Sequence, residues 1–308
     1  MRIRATVAAV TGALALSAFV VPAAQAADGS SYTPADLAKA ARAFHAASGK
    51  SAFSSSAADE PYTLDLTFSS VKVNNGKPIV VGTTNHVSVP VTYKVTHGAD
   101  VDIHADDFFM DVDIYRGSFD SPTALQMGDD WPVCTDSSAT VATCKGTIDI
   151  YPRDEFLGLT NADATTWKAE GYAVALNGQD PDTGDVTKIG YVAQDRVATT
   201  KLQRYSKLTV NASPEPVVKG KTITVTGKLS RANWDDHQYH GYTGQSVKLQ
   251  YRKKSSSTYT TLKTITTNST GNLKTTTKAT ADGYYRFSFA GTSTTPAVNA
   301  AGDYVDVK

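Results

Sequence analysis

Cysteine, methionine and tryptophan are scarce in this chain of 308 residues, at two, three and three copies. Two cysteines exclude a small scaffold in which many bridges replace a core. Beyond residue 26 no apolar run approaches the roughly 20 residues that a membrane-crossing helix needs, so no membrane span is expected. The motifs of common enzymes are missing as well: there is no Gly-x-Ser-x-Gly elbow, no His-Glu-x-x-His and no phosphate-cradling glycine loop. The six histidines are scattered without a recognisable nucleophile motif. No catalytic residue is therefore assigned, and the protein is expected not to be an enzyme. What is abundant is Thr, Ser, Val and Tyr, a composition that suits pleated, half-buried surfaces.

The first residues carry an export pattern. Arg2 and Arg4 precede an apolar run from Val7 to Val21, and Ala24-Gln25-Ala26 places small residues where a signal peptidase reads them. Residues 1–26 are thus expected to be a signal peptide, with the mature protein secreted and extracellular. No cysteine follows the apolar run, so a lipoprotein anchor is not indicated. In an exported chain Cys134 and Cys144, ten residues apart, are expected to form one local disulfide.

Formal net charge is zero, yet the two halves are of opposite sign. Residues 27–205 hold 14 Lys and Arg against 24 Asp and Glu, a balance of −10; residues 206–308 hold 14 against 6, a balance of +8. Two oppositely charged modules are implied.

Periodicity divides the chain in the same place. Thr33-Pro34-Ala35-Asp36 combines an N-cap, a proline at the first helical position and a carboxylate three residues after the cap, and Leu37, Ala40, Ala41, Phe44 and Ala47 recur at helical spacing. A serine-rich stretch follows, so residues 27–60 are expected to form a short helix on a flexible linker, a loosely attached arm. From Pro61 the period becomes two, as in Val87, Val89, Val91, Tyr93 and Val95, with further runs at Val101–Ile103, Phe109–Tyr115, Thr147–Tyr151, Tyr172–Leu176 and Lys188–Ala193. Seven or eight short antiparallel strands over 61–205 suggest an acidic β-sandwich, and residues 206–308 a basic one. Tyr285, Phe287 and Phe289 share one face of a strand in the second unit.

The second unit resembles a known family. Leu208-Thr209-Val210, the run Val218–Gly227, Gly244-Gln245-Ser246-Val247-Lys248-Leu249-Gln250-Tyr251-Arg252, the run Asp282–Thr292 and the closing Asp303–Lys308 look like the bacterial Ig-like domain of secreted actinobacterial proteins. The resemblance covers residues 206–308 and implies a sandwich fold in an exported protein, used as a spacer, adhesin or accessory module. The first unit is similar to it in strand pattern alone. The expected fold class is all-β: two Ig-like antiparallel β-sandwich domains preceded by a signal peptide and a short helical arm.

Two constellations are candidate sites. Asp100, Asp102 and Asp106 lie in an aspartate-rich stretch that also holds Asp107, Asp111 and Asp113, while Asp180, Asp182 and Asp185 cluster in a turn. Closely set carboxylates of this kind can hold Ca²⁺, which takes six to eight oxygen ligands; the alternative is that strand aspartates point to solvent and the turn needs no ion. No other cofactor is indicated. Trp234, Tyr239 and Tyr242 are candidates for stacking on a sugar, or for closing the end of the sandwich. Arg252, Lys253 and Lys254 lead the basic residues that suit a polyanion. Nucleic acid fits less well, because the loop aromatics do not interleave with the basic strands. The expectation is a secreted, non-catalytic binding or structural protein that associates with the cell envelope or an extracellular polyanion, polysaccharide or protein. The alternative is an extracellular hydrolase or a calcium-dependent carbohydrate-binding protein with the second domain as accessory module.

Overall fold

A computed structural model describes residues 32–48 and 60–308. The expected signal peptide, 1–26, and most of the expected linker lie outside the described residues. Residues Pro34–Ser48 form helix α1. The first domain then comprises β1 (Tyr62–Thr63), β2 (Leu66–Val73), β3 (Ile79–Val81), β4 (Val87–His97), β5 (Phe108–Gly117), β6 (Pro122–Gln126), β7 (Val133–Ser138), β8 (Val141–Ile150), β9 (Thr166–Ala175) and β10 (Gly190–Arg204).

Alternation in β4 decides how this domain closes. Val89, Val91, Tyr93 and Val95 are buried while Ser88, Pro90, Lys94 and Thr96 are exposed, so the strand offers one apolar face. Its sheet runs β2-β4-β8-β7 and packs on a second sheet, β1-β10-β9-β5-β6, with β3 also paired to β10. Met110, Val112 and Ile114 of β5 and Trp167, Ala169 and Ala173 of β9 meet that face in a common core. Pairing is antiparallel except for β1 and β3, which run parallel to β10, a departure from the wholly antiparallel expectation. Val101–Ile103, expected as a strand, lies in the loop between β4 and β5, where Val101 N–H donates to Gly98 O.

The largest difference from expectation concerns α1. Leu37, Ala38, Ala40, Ala41 and Phe44 are buried against Phe109, Tyr172, Val174, Leu176, Ile189 and Tyr191, on the outer face of the second sheet. The helix is part of the domain rather than a loose arm. Burying a Leu or a Phe contributes roughly 1.5–3 kcal/mol each, which a sheet with an apolar outer face rewards and a solvated helix forgoes. It also means that β5 and β9 are covered on both sides. Asp111 and Asp113, part of the stretch read as either cation ligands or solvent-facing strand residues, are instead 1% and 0% exposed beneath the helix.

The second domain comprises β11 (Ser206–Leu208), β12 (Asn211–Ser213), β13 (Thr222–Asn233), β14 (Gln238–Gly241), β15 (Ser246–Lys253), β16 (Thr260–Thr266), β17 (Asn272–Lys278), β18 (Gly283–Phe289), β19 (Val298–Asn299) and β20 (Asp303–Val305). In one sheet the long β13 pairs with β11, β12, β14 and β17; the other runs β16-β15-β18, with β19 and β20 along the far side of β18. Between them lie Ile223, Val225, Leu229, Val247, Leu249, Tyr285, Phe287 and Phe289. Over the described residues the chain is thus all-β, two β-sandwich domains, with a single α-helix.

Candidate functional site

Alternation in β15 and β18 sends Val247, Leu249, Tyr285, Phe287 and Phe289 inward and leaves Lys248, Gln250, Arg252, Tyr284 and Arg286 on the outer face. Register sets them side by side: Gln250 pairs with Arg286, Arg252 with Tyr284, and Tyr284 in turn with Tyr304 of β20. The Arg252 guanidinium carbon lies 3.8 Å from the Tyr284 ring centroid and 5.4 Å from that of Tyr259, which stands in the loop after β15. Arg286 lies 3.8 Å from the same Tyr259 ring. Tyr284 and Tyr304 are 5.2 Å apart, and Lys254 Nζ is 5.3 Å from the Tyr304 ring. The result is a continuous strip of interleaved cations and tyrosine rings.

Hydrogen bonds fix its guanidiniums in place. Arg286 Nε donates to Gln250 Oε1 at 2.9 Å, and Arg252 Nη1 donates to Ser256 O at 2.8 Å. Gly302 lets the Tyr259 ring lie down, since a Cβ there would meet its hydroxyl at 2.2 Å. Among the described residues no ion pair joins Arg252, Lys254 or Arg286 to a carboxylate. Guanidiniums anchored by neutral partners keep N–H donors for an anion, and a planar fork suits a carboxylate or phosphate. Neighbouring Tyr304 pushes the Lys254 ammonium pKa up, through a hydrogen bond first and charge attraction second. That lysine keeps its charge at all physiological pH.

Of the three basic residues singled out in the sequence, Arg252 and Lys254 belong to this strip. Lys253 is exposed, but alternation turns it from Arg252's side of the strand. Tyr259, Tyr284, Arg286 and Tyr304 were missed. The signal was present in the outward positions of the same strands whose inward positions mark the core. The rings that interleave with these cations come from strands and one loop other than those around Trp234.

The tryptophan loop lies elsewhere and is structural. Trp234 is 1% exposed, packs into the core of the first domain together with Ala232, and donates from Nε1 to Gly82 O at 2.8 Å. It is therefore withdrawn as a sugar-stacking residue. Tyr239 is half-buried under Lys207 Nζ, 3.5 Å from its ring, with its edge toward Tyr205. Tyr242 packs between Arg231 and Phe289. Main-chain bonds complete the seam: Ala232 N–H donates to Tyr205 O, Tyr205 N–H to Val81 O, and Arg204 N–H to Thr294 O. Trp234 and Tyr239 thus sit at the seam of the two sandwiches, while Tyr242 packs within the second.

The aspartates do not converge on a calcium cage. Asp100 and Asp102 border a cleft with Asp65 and Asp107, from which Asp106 is absent. Asp102 accepts from its own neighbour His104 N–H at 3.0 Å. In the turn, Asp180 accepts from Asp182 N–H, Thr183 N–H and the Thr183 hydroxyl, and Asp185 from Thr187 N–H and the Thr187 hydroxyl. Hydrogen bonds from the Thr183 side chain and neighbouring amides lower the Asp180 carboxyl pKa. Local turn chemistry satisfies these groups without an ion. Cys134 and Cys144 are bonded across β7 and β8, as expected.

No family model and no curated protein matches this chain. Among solved structures it is similar to the Yersinia pseudotuberculosis adhesin InvE, at 11% identity over 78% of this chain and 58% of that one, with a TM-score of 0.24. It is also similar to the full ectodomain of mouse nectin-like molecule 4, at 10% identity over 80% of this chain and 65% of that one, with a TM-score of 0.21. The chain spans less than two thirds of the length of either structure. At such TM-scores neither likeness says anything about what this chain binds. No helix among the described residues is long and apolar enough to cross a membrane.

Proposed function

We propose that this is a secreted, non-catalytic binding protein that takes an anionic extracellular polymer on the outer face of β15, β18 and β20. The observation that carries the proposal is the strip Arg286-Tyr259-Arg252-Tyr284-Tyr304-Lys254, in which each cation is backed by a ring and free of a carboxylate partner. Tyrosine rings offer flat apolar contact to sugar faces, while guanidiniums take the carboxylates or phosphates that such polymers carry. The +8 balance of residues 206–308 adds long-range attraction. With Trp234 locking the domains together, the acidic first domain serves as a rigid mount that repels the same polymer and so fixes which face meets it.

The test uses the full chain, with a uronic-acid polysaccharide, a phosphate-bearing wall polymer, a neutral glucan and single-stranded DNA as probes. Binding to an acidic glycan is expected, weakening steeply as salt rises toward 1 M, where the Debye length is about 3 Å. R252A/R286A should lower affinity at least tenfold with the fold unchanged. Equal affinity for the neutral glucan, or a preference for single-stranded DNA, would reject the assignment.

A further inference from the structure

At one end of the first sandwich, away from the strip just described, three side chains from three separate segments meet. The β4–β8 register pairs Ser88 with Asp149 and Val87 with Ile150, which sets Asp149 beside the residue that precedes β4, His86. Asp149 N–H donates to Met127 O, drawing the segment after β6 across the same end, and Asp129 N–H returns a bond to Asp149 Oδ2 at 3.1 Å. One nitrogen of His86 and one carboxylate oxygen each of Asp129 and Asp149 then lie within 4.8 Å of one another, the only such group of His, Cys, Asp or Glu among the described residues.

We propose that His86, Asp129 and Asp149 bind a transition-metal dication, with Zn²⁺ the best match. The donor set is the first reason: one imidazole and two carboxylates suit Zn²⁺ and its neighbours, whereas Ca²⁺ favours an all-oxygen shell. Geometry is the second. Bonds of about 2.0–2.1 Å in a tetrahedral shell put donor atoms roughly 3.3 Å apart. His86 Nε2 and Asp149 Oδ1 are 2.9 Å apart, so the ion enters when the proton they share leaves and they separate by a few tenths of an ångström.

Supporting groups orient all three ligands. Thr147 Oγ1 donates to Asp149 Oδ2 at 2.7 Å, and that side chain is only 6% exposed, which fixes the buried anchor of the site. The Tyr151 hydroxyl donates to Asp129 Oδ2, and the Tyr151 ring lies parallel to the His86 ring, 4.2 Å away and tilted by 3°. One tyrosine thus sets both the carboxylate and the imidazole plane, an outer shell of the sort that holds metal ligands in place. His86 and Asp129 are exposed, which leaves the remaining coordination position open to solvent or to a ligand group. Other His–Asp pairs, His104 with Asp136 and His240 with Asp236, lack a third donor and serve as internal controls.

The experiment is calorimetric titration of the chelator-treated full chain with Zn²⁺, and separately with Ca²⁺, alongside melting curves. One Zn²⁺ per chain with a raised melting temperature is expected, together with at least a tenfold loss of affinity in H86A and in D129N and no change in H240A. D129N alters an exposed group, so its loss of binding with an unchanged melting curve in the absence of metal separates ligation from misfolding. No saturable binding, binding unaffected by H86A and D129N, or Ca²⁺ bound as tightly as Zn²⁺ would overturn the proposal.

Discussion

Arg42 Nη2 donates to Glu170 Oε1 at 2.9 Å, an ion pair through which α1 grips the sheet beneath it. The carboxylates next to Glu170 on that face fare differently. Asp113 faces Glu170 across β5 and β9 and is fully buried with neither oxygen bonded; Asp111 faces Tyr172, whose hydroxyl is also unbonded. Burial dominates and pushes the Asp113 carboxyl well above the usual range and that of Asp111 up to about 7.

These shifts make docking of the helix dependent on pH. A carboxyl whose pKa is higher in the folded than in the unfolded chain stabilises the fold at low pH and loses that contribution as pH rises through the folded value. Asp111 therefore withdraws support between about pH 4 and about pH 7, and Asp113 continues the trend. Around them stand Arg42 and His45 from α1, Glu170 and Tyr172 from β9, and Tyr191 and Asp195 from β10. Hydrogen exchange, corrected for intrinsic rates, is expected to show α1 better protected at pH 5 than at pH 8. D113N should raise the melting temperature at pH 8, by roughly 2–4 °C for each kcal/mol regained. Protection independent of pH in both proteins would refute this.

Trp234 makes the seam a point of failure for both domains. Truncating a fully buried tryptophan costs about 3–5 kcal/mol, and here the Gly82 carbonyl also loses its donor. W234A should separate thermal unfolding into two transitions, whereas the parent chain melts as a coupled pair. A single transition shifted by less than about 1 kcal/mol would show that the main-chain bonds alone hold the seam.

The disulfide has a local effect. Closing a loop of ten residues contributes about 2–3 kcal/mol on the chain-entropy account. In a W234A background, where the domains melt separately, C134A/C144A is expected to lower the denaturant midpoint of the first domain and leave that of the second in place. Equal loss in both would show that the effect of the bridge is not local.

Period-two alternation by itself determined the strands of the core, because Val89, Val91, Tyr93 and Val95, or Tyr285, Phe287 and Phe289, have a single way to leave water. Two cysteines ten residues apart behind an export pattern likewise determined the bridge, and the sequence alone carries the opposite charge of the halves. Tertiary structure decided the rest. Whether α1 is an arm or a cover depends on an apolar outer sheet face that exists once β5, β9 and β10 are paired. That cover is what buries Asp111 and Asp113, which alternation alone would send to solvent. Trp234 looked like loop aromatics because nothing local reveals the pocket beside Gly82, 152 residues earlier. The same holds for the strip on the second domain and for His86, Asp129 and Asp149: register across strands, which no short window of sequence contains, sets their side chains next to one another.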